Sequence, residues 1–382
     1  MEWETRLIHS GHDTCEYTGA VSMPIYQAST FRQKSMDQPG AYDYARSGNP
    51  TRNALEGLMA VLEGGTHGFA FASGMAAISS VLCLLQTGEH VVVSRDVYGG
   101  TYRALTGLFS RFGISHSFVD TTNMQAIRSA IRPQTKALYL ETPSNPLFRI
   151  TDLTACVALA KEYSLLTIVD NTFMTPYLQR PLELGLDVVV HSATKFLGGH
   201  SDTIAGVAVV NDEELAKRLR MVQITFGAVL GPQDSWLVQR GIRTLKVRMD
   251  AQQETAGKLA QWLSTHPLVT SVSYPGLAQH PGREIHQAQS YGPGCVFSFT
   301  LADRQKTVEF LQNVKLPAPA VSLGGVESIL SHPATMSHAS MPKAHREELG
   351  IVDNLVRLSV GLEALDDLRD DLENALTAAA AK

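Results

Sequence analysis

Cysteine is scarce in this chain: there are 4 in 382 residues, and none stands in a C-x-x-C pair. Cys15, Cys83, Cys156 and Cys295 are scattered, and the last three lie in apolar runs, where cysteine behaves as a small hydrophobe. This argues against a disulfide framework or a zinc cage and fits a reducing compartment. Charge is sparse too. Charged residues make up 18% of the chain and the net charge is −5, so no basic surface is available for nucleic acid or an anionic membrane, and a small-molecule substrate is the default. No apolar run approaches bilayer length, and Met1-Glu2-Trp3-Glu4 lacks the basic and apolar regions of a signal peptide, so a cytoplasmic protein is expected. There is no Walker lysine loop and no G-x-G-x-x-G opening. His332, His338 and His345 cluster, but not on one helical face and without accompanying acidic or thiol ligands, so no metal is expected.

What is present is apolar material, 44% of the chain, in a length that suits two domains. Residues 1–45 have weak periodicity and many Gly, Ser, Thr and Tyr, and read as an extended arm. From His67 onward short apolar runs alternate with helical stretches. Strands are expected at His67–Phe71, Val91–Val93, Ala137–Leu140, Leu166–Val169 and Val188–Val190, with helices at Met75–Gln86, Thr101–Phe112 and Asp152–Tyr163. Continuous apolar strands separated by helices predict an α/β domain with a mostly parallel sheet covered on both faces, assigned to residues 46–241. After Gly206–Val210 the chain reads as helical through Asp212–Thr225 and Pro232–Ser264. Strands at Val269–Val272 and Val296–Thr300 and helices near Gln305–Asn313 and Leu365–Ala380 then make residues 242–382 a smaller α+β unit.

The candidate chemistry gathers at strand ends, where parallel sheets bind ligands. Val188-Val-Val-His-Ser192-Ala-Thr194-Lys195 runs from a buried strand into hydroxyls and then a lysine, followed by glycines. Desolvation there lowers a lysine's pKa and frees a nucleophilic amine, while Ser192 and Thr194 suit a phosphate. A solvated surface lysine is the competing reading. Thr167-Ile-Val-Asp170 ends a strand in a carboxylate, which suits a protonated pyridine nitrogen or simply caps a turn. Ser73-Gly74-Met75 opens a helix, either an anion seat or an ordinary N-cap. Tyr98 offers a ring for stacking, or is a core tyrosine. Tyr44 and Arg46 combine phenol and guanidinium donors beside a turn, and Arg357 sits inside the apolar strand Leu355–Val360, where it needs an anion, either a substrate carboxylate or a structural acid.

In order along the chain stand Tyr44-Ala-Arg-Ser-Gly-Asn-Pro-Thr51, Ser73-Gly-Met75, Tyr98-Gly-Gly100, Glu141-Thr-Pro-Ser-Asn-Pro146, Asp170-Asn-Thr-Phe173, Ser192-Ala-Thr-Lys195, Ser322-Leu-Gly-Gly-Val-Glu-Ser328 and Arg357-Leu-Ser-Val-Gly361. With these segments the chain resembles, nearly end to end, the Cys/Met-metabolism family of pyridoxal-5′-phosphate enzymes, the trans-sulfuration enzymes. The resemblance implies the aspartate-aminotransferase-like fold (fold type I). It implies that Lys195 holds the cofactor as a Schiff base and acts as general base, that Asp170 pairs with the ring nitrogen, and that Tyr98 stacks on the ring and takes a proton from the incoming amine. Gly74, Met75, Ser192 and Thr194 would hold the phosphate, and Tyr44 and Arg46 would reach the phosphate of a neighbouring subunit in a homotetramer of two catalytic dimers. Asn145, Ser322 and Arg357 match positions that hold substrate or cofactor oxygens.

For the reaction, the resemblance implies carbon–sulfur bond cleavage in a sulfur amino acid. α,β-Elimination of L-cystathionine to L-homocysteine, pyruvate and ammonia, a step of methionine biosynthesis, is expected ahead of γ-elimination or γ-replacement. Val321 stands where many γ-enzymes of the family carry Glu, and Gly100 where methionine γ-lyases carry Cys. Leu323 departs from one β-lyase branch that has Trp there. A catalytically silent binding protein on the same fold is the rival of another class.

Overall fold

Two sheets organise the chain in the computed structural model, which describes residues 1–11, 15, 17–339 and 341–381. The first is built from β1 (His67–Phe71), β2 (His90–Ser94), β3 (Ser115–Val119), β4 (Thr135–Glu141), β5 (Leu166–Asp170), β6 (Val188–Ser192) and β7 (Gly206–Val210). Their spatial order is β1-β7-β6-β5-β4-β2-β3. The run from β6 to β3 is parallel, whereas β7 lies antiparallel to both β6 and β1, so the expected mostly parallel sheet is mixed at one edge. The second sheet, from β8 (Ser271–Ser273), β9 (Val296–Thr300), β10 (Ala318–Pro319), β11 (Ile329–Ser331) and β12 (Leu355–Ser359), has the order β10-β11-β12-β9-β8.

The continuous apolar strands follow from burial on both faces. In β6, Val188 and Val190 join one core cluster with Ile78, Val81 and Ile168, while Val189 joins the other with Leu55, Met59 and Val169. In the second sheet Phe297 and Phe299 pack with Leu368, Leu372 and Leu376 of the C-terminal helix Leu365–Ala380.

Four readings of the chain change. The arm is not extended throughout. Helix α1 (Trp3–His9) buries Leu7, and Trp3 packs against Tyr177 with ring centroids 5.0 Å apart. A further helix, α2 (Pro50–Glu63), was not anticipated, although Leu55, Leu58, Met59 and Leu62 repeat at helical spacing and Asn49 caps it by accepting from the Thr51 and Arg52 N–H groups. The helix expected over Thr101–Phe112 is a chain of three turns of different pitch, Gly99–Arg103, Ala104–Leu108 and Phe109–Phe112. Likewise Pro232–Ser264 is two helices, Pro232–Ile242 and Leu245–Ser264.

Candidate active site

A cleft of about 400 Å³ opens at the carboxyl ends of β4, β5 and β6. Its walls include Gly74, Met75, Tyr98, Asn145, Asp170, Ser192, Thr194, Lys195, Ser322 and Arg357. Ten of the residues singled out in the sequence thus meet in one place. Tyr44 and Arg46 do not. Arg46 donates to the Ile224 carbonyl at 2.9 Å and its guanidinium lies 5.6 Å from the Tyr44 ring, outside the cleft walls.

Lys195 lies in the turn that follows β6. Its Nζ donates to Ser322 Oγ at 2.6 Å, and burial, then the Arg357 guanidinium, lower its pKa to about 8. Ser322 has φ 101°, a conformation costly for a serine by roughly 1–3 kcal/mol. Arg357 pins that backbone by donating from Nη2 to the Ser322 carbonyl at 2.7 Å. The same arginine donates to Asn145 Oδ1 at 2.8 Å and Ser331 Oγ at 3.1 Å, while its buried Nε–H finds no acceptor among the described residues. Every partner is neutral. Burial therefore lowers its pKa to about 10, and a donor edge remains for an anion.

Asp170 is buried, and this raises its carboxyl above the usual range. Hydrogen bonds from Thr172, including its N–H to Oδ1 at 3.0 Å, work in the opposite direction, as does His191. Glu141, its register partner on β4, accepts the Tyr98 N–H at 2.9 Å. Burial and then the neighbouring Asp170 push the Glu141 carboxyl well up. Helix α3 (Gly74–Leu82) begins against the end of β6, capped by Ser73 Oγ, which accepts the Ala76 N–H at 3.0 Å. A Cβ at Gly74 would lie 2.8 Å from Ser192 Cβ, so only glycine lets the helix end meet β6 this closely. At Gly100 a Cβ would lie 2.3 Å from Tyr98 Cε1 and 2.5 Å from Met75 Sδ, and its absence leaves room for the Tyr98 ring.

These groups fit pyridoxal phosphate. The N-terminus of α3 with the Ser192 hydroxyl suits a phosphate, Asp170 a basic ring nitrogen, Tyr98 a flat ring and Lys195 an aldehyde. Thr194 is less free than expected, because its hydroxyl already donates to the Ala205 carbonyl at 3.1 Å and accepts the Ala205 N–H at 3.0 Å. Sequence reasoning left out Arg103, Ile204, Met336 and Ser337, which also line the cleft, and assigned no role to Glu141. Glu141 was detectable, since it closes an apolar strand as Asp170 does. Met336 and Ser337 sit in an irregular turn with no periodicity to betray them.

A desolvated lysine opposed by a buried acid, at the carboxyl edge of an α/β sheet, defines a cofactor-dependent enzyme of amino-acid chemistry. The chain belongs to the family described as Cys/Met metabolism PLP-dependent enzyme, whose family model matches residues 4–377. It is 58% identical over 373 residues to cystathionine beta-lyase MetC of Bacillus subtilis (strain 168), across 98% of this chain and 96% of that one. It is also 52% identical over 376 residues to the cystathionine gamma-lyase of the same organism, across 98% and 99%. Among solved structures, cystathionine gamma-lyase from Lactobacillus plantarum complexed with L-serine superposes with a TM-score of 0.98 at 46% identity, covering 100% of both chains.

Proposed function

We infer that this enzyme cleaves L-cystathionine by α,β-elimination to L-homocysteine, pyruvate and ammonia, a step toward methionine. The observation that carries the reading is the Lys195 amine, held by Ser322 between the buried acid Asp170 and the incompletely paired Arg357. Pyridoxal phosphate, when bound, attaches the substrate's amino group covalently and takes up the electron pair left when the Cα proton departs.

The residues divide the remaining work. Arg357, braced by Asn145 and Ser331, holds the substrate α-carboxylate through its spare donor edge. That orients the Cα–H bond toward Lys195, whose pKa of about 8 leaves a useful fraction of neutral amine near neutrality to accept the proton. Asp170 as carboxylate keeps the ring nitrogen protonated, and Tyr98 covers the ring and accepts a proton from the incoming amine. Gly74, Met75, Ser192 and, once freed from Ala205, Thr194 hold the phosphate.

Likeness to γ-lyases favours a second reading, γ-elimination to 2-oxobutyrate and cysteine. That reaction needs another proton removed, at Cβ. Val321 in the cleft wall has no group to accept it, and Gly100 has no side chain to offer one. Identifying the keto acid released from cystathionine decides the matter. Pyruvate with homocysteine is expected, whereas 2-oxobutyrate with cysteine would overturn the β-reading. Lys195→Ala should abolish both turnover and the absorption band of the covalently held cofactor.

Tyr44 and Arg46, partly exposed and outside their own cleft, support a homotetramer of two catalytic dimers in which they serve a neighbour's phosphate. Mixing inactive Lys195→Ala chains with Arg46→Ala chains should then restore activity, and an additive mixture with no gain would refute the shared site. The scarcity of cysteine supports a cytoplasmic location.

A further inference from the structure

We propose that Glu63 and His191 form a buried ion pair that acts on the reaction through Asp170, keeping its carboxylate ionised so that the cofactor's ring nitrogen retains its proton. The proposal rests on the reading that Asp170 faces that nitrogen.

The pair sits beneath the cleft floor. Glu63 ends α2 and His191 precedes Ser192 in β6. His191 Nε2 lies 2.5 Å from Glu63 Oε1, and both side chains are fully enclosed, with 0% exposure. Asn171, the residue after Asp170, donates from Nδ2 to the same Glu63 oxygen at 3.0 Å and to the Gln179 carbonyl at 2.8 Å. Gln179 in turn donates to Asn171 Oδ1 at 3.1 Å and to the Thr142 carbonyl. One buried network therefore ties α2 to the ends of β4, β5 and β6, the three strands that deliver Glu141, Asp170 and Ser192–Lys195.

The charges follow from position. Glu63 lies at the C-terminal end of a helix, where the backbone dipole disfavours an anion, and it is cut off from water. Two groups contact that carboxyl, the neutral Asn171 amide and the His191 ring, and of these only His191 can supply a compensating charge. His191 follows Val190, the register partner of Asp170, so the positive member stands on the adjoining strand with its side chain on the other face of the sheet from the Asp170 carboxylate. Of the ionisable groups near Asp170, Glu141 on β4 is a second acid and opposes ionisation of both, whereas the field of His191 favours the Asp170 carboxylate. As a strut the network is poorly made. Glu63 Oε2 and His191 Nδ1 are both buried without partners among the described residues, a cost that an apolar pair of similar size would avoid.

His191 and Glu63 are thus positioning residues, and their role can be read without turnover. Neutron diffraction from deuterated crystals of the holoenzyme should show deuterium on both His191 ring nitrogens and none on Glu63. Deuterium on Glu63, or on a single ring nitrogen, opposite an Asp170 that does meet the cofactor nitrogen would overturn this proposal alone. An Asp170 remote from that nitrogen would overturn the site reading and the proposal with it. In a second test, Glu63→Gln protein is reconstituted with cofactor labelled with nitrogen-15 in the ring. Its resonance should move toward the unprotonated position between pH 7 and 9 while wild type stays put, with cofactor affinity down roughly tenfold, the equivalent of one pKa unit. Glu63→Asp should recover most of the shift. A Glu63→Gln protein with the wild-type resonance and affinity would overturn the proposal, and if that variant does not fold, the neutron map of the wild type decides.

Discussion

Arg248 and Arg357 are both withdrawn from water, and burial lowers each to about 10, yet they are satisfied in opposite ways. Arg248, in the helix Leu245–Ser264, spends all three nitrogens on the protein: Nε on Thr244 Oγ1 at 3.1 Å, Nη1 on the Phe196 carbonyl at 2.9 Å and Nη2 on the Gly241 carbonyl at 2.8 Å. Arg357, in β12 and at the wall of the cleft, leaves its buried Nε without an acceptor among the described residues. Equal burial with unequal pairing separates a clamp from a binding group. The clamp closes the junction between two helices onto the turn that carries Lys195. The binding group keeps a charge and a donor in reserve for something that is not protein.

Substitution should separate the two cleanly. Arg357→Gln is expected to have the larger effect on catalysis, because it removes charge-assisted bonds to the substrate carboxylate worth roughly 3 kcal/mol, more than a hundredfold in kcat/KM. Its urea unfolding midpoint should fall less than that of Arg248→Gln, since Ser322 and Asn145 line the cleft and Ser331 keeps its bond to the Ala320 carbonyl. Arg248→Gln should do the reverse. Leaving the Phe196 and Gly241 carbonyls without donors costs at least about 2 kcal/mol of stability, while turnover per folded molecule changes far less than for Arg357→Gln. Steady-state kinetics with denaturant melts on both variants would measure this. If Arg248→Gln lost as much kcat/KM as Arg357→Gln without losing stability, the distinction would fail.

The same pair marks how far the sequence could be read. Arg357 stood out because it interrupts an apolar strand, and that strand and its arginine are where they were expected. Arg248 gave no such signal, for an arginine in a long helix is ordinary, and its burial depends on the turn after β6, far away in the chain. The alternation of apolar runs and helical stretches was enough for the large sheet, whose strands are buried on both faces. It could not show that β7 runs antiparallel, because direction leaves no mark on a short apolar run. The cleft was legible where residues close a strand or open a helix, as Asp170, Ser192 and Gly74 do. It was illegible where tertiary packing alone supplies the feature: the φ of 101° at Ser322, the engagement of Thr194 by Ala205, and the network under Asp170.

The smallest expected effect tests the comparison most finely, because it is electrostatic and leaves the chain's packing alone. The pKa of Lys195 falls to about 8 through burial first and the field of Arg357 second, with no contribution from Arg248. The neutral amine is the form that reacts with an aldehyde, so cofactor uptake by the cofactor-free protein should quicken as pH rises toward 8 and level off above it. Taking away the positive neighbour stabilises the protonated amine, which moves the midpoint upward. In Arg357→Gln the levelling should therefore come above pH 8, yet below the ordinary lysine value of 10.5, because burial remains. In Arg248→Gln it should stay where it is in the wild type. Stopped-flow uptake across this range reads both midpoints. An equal rise in the two variants would mean that the cleft has loosened generally, and that the spare charge on Arg357 does not reach the lysine it faces.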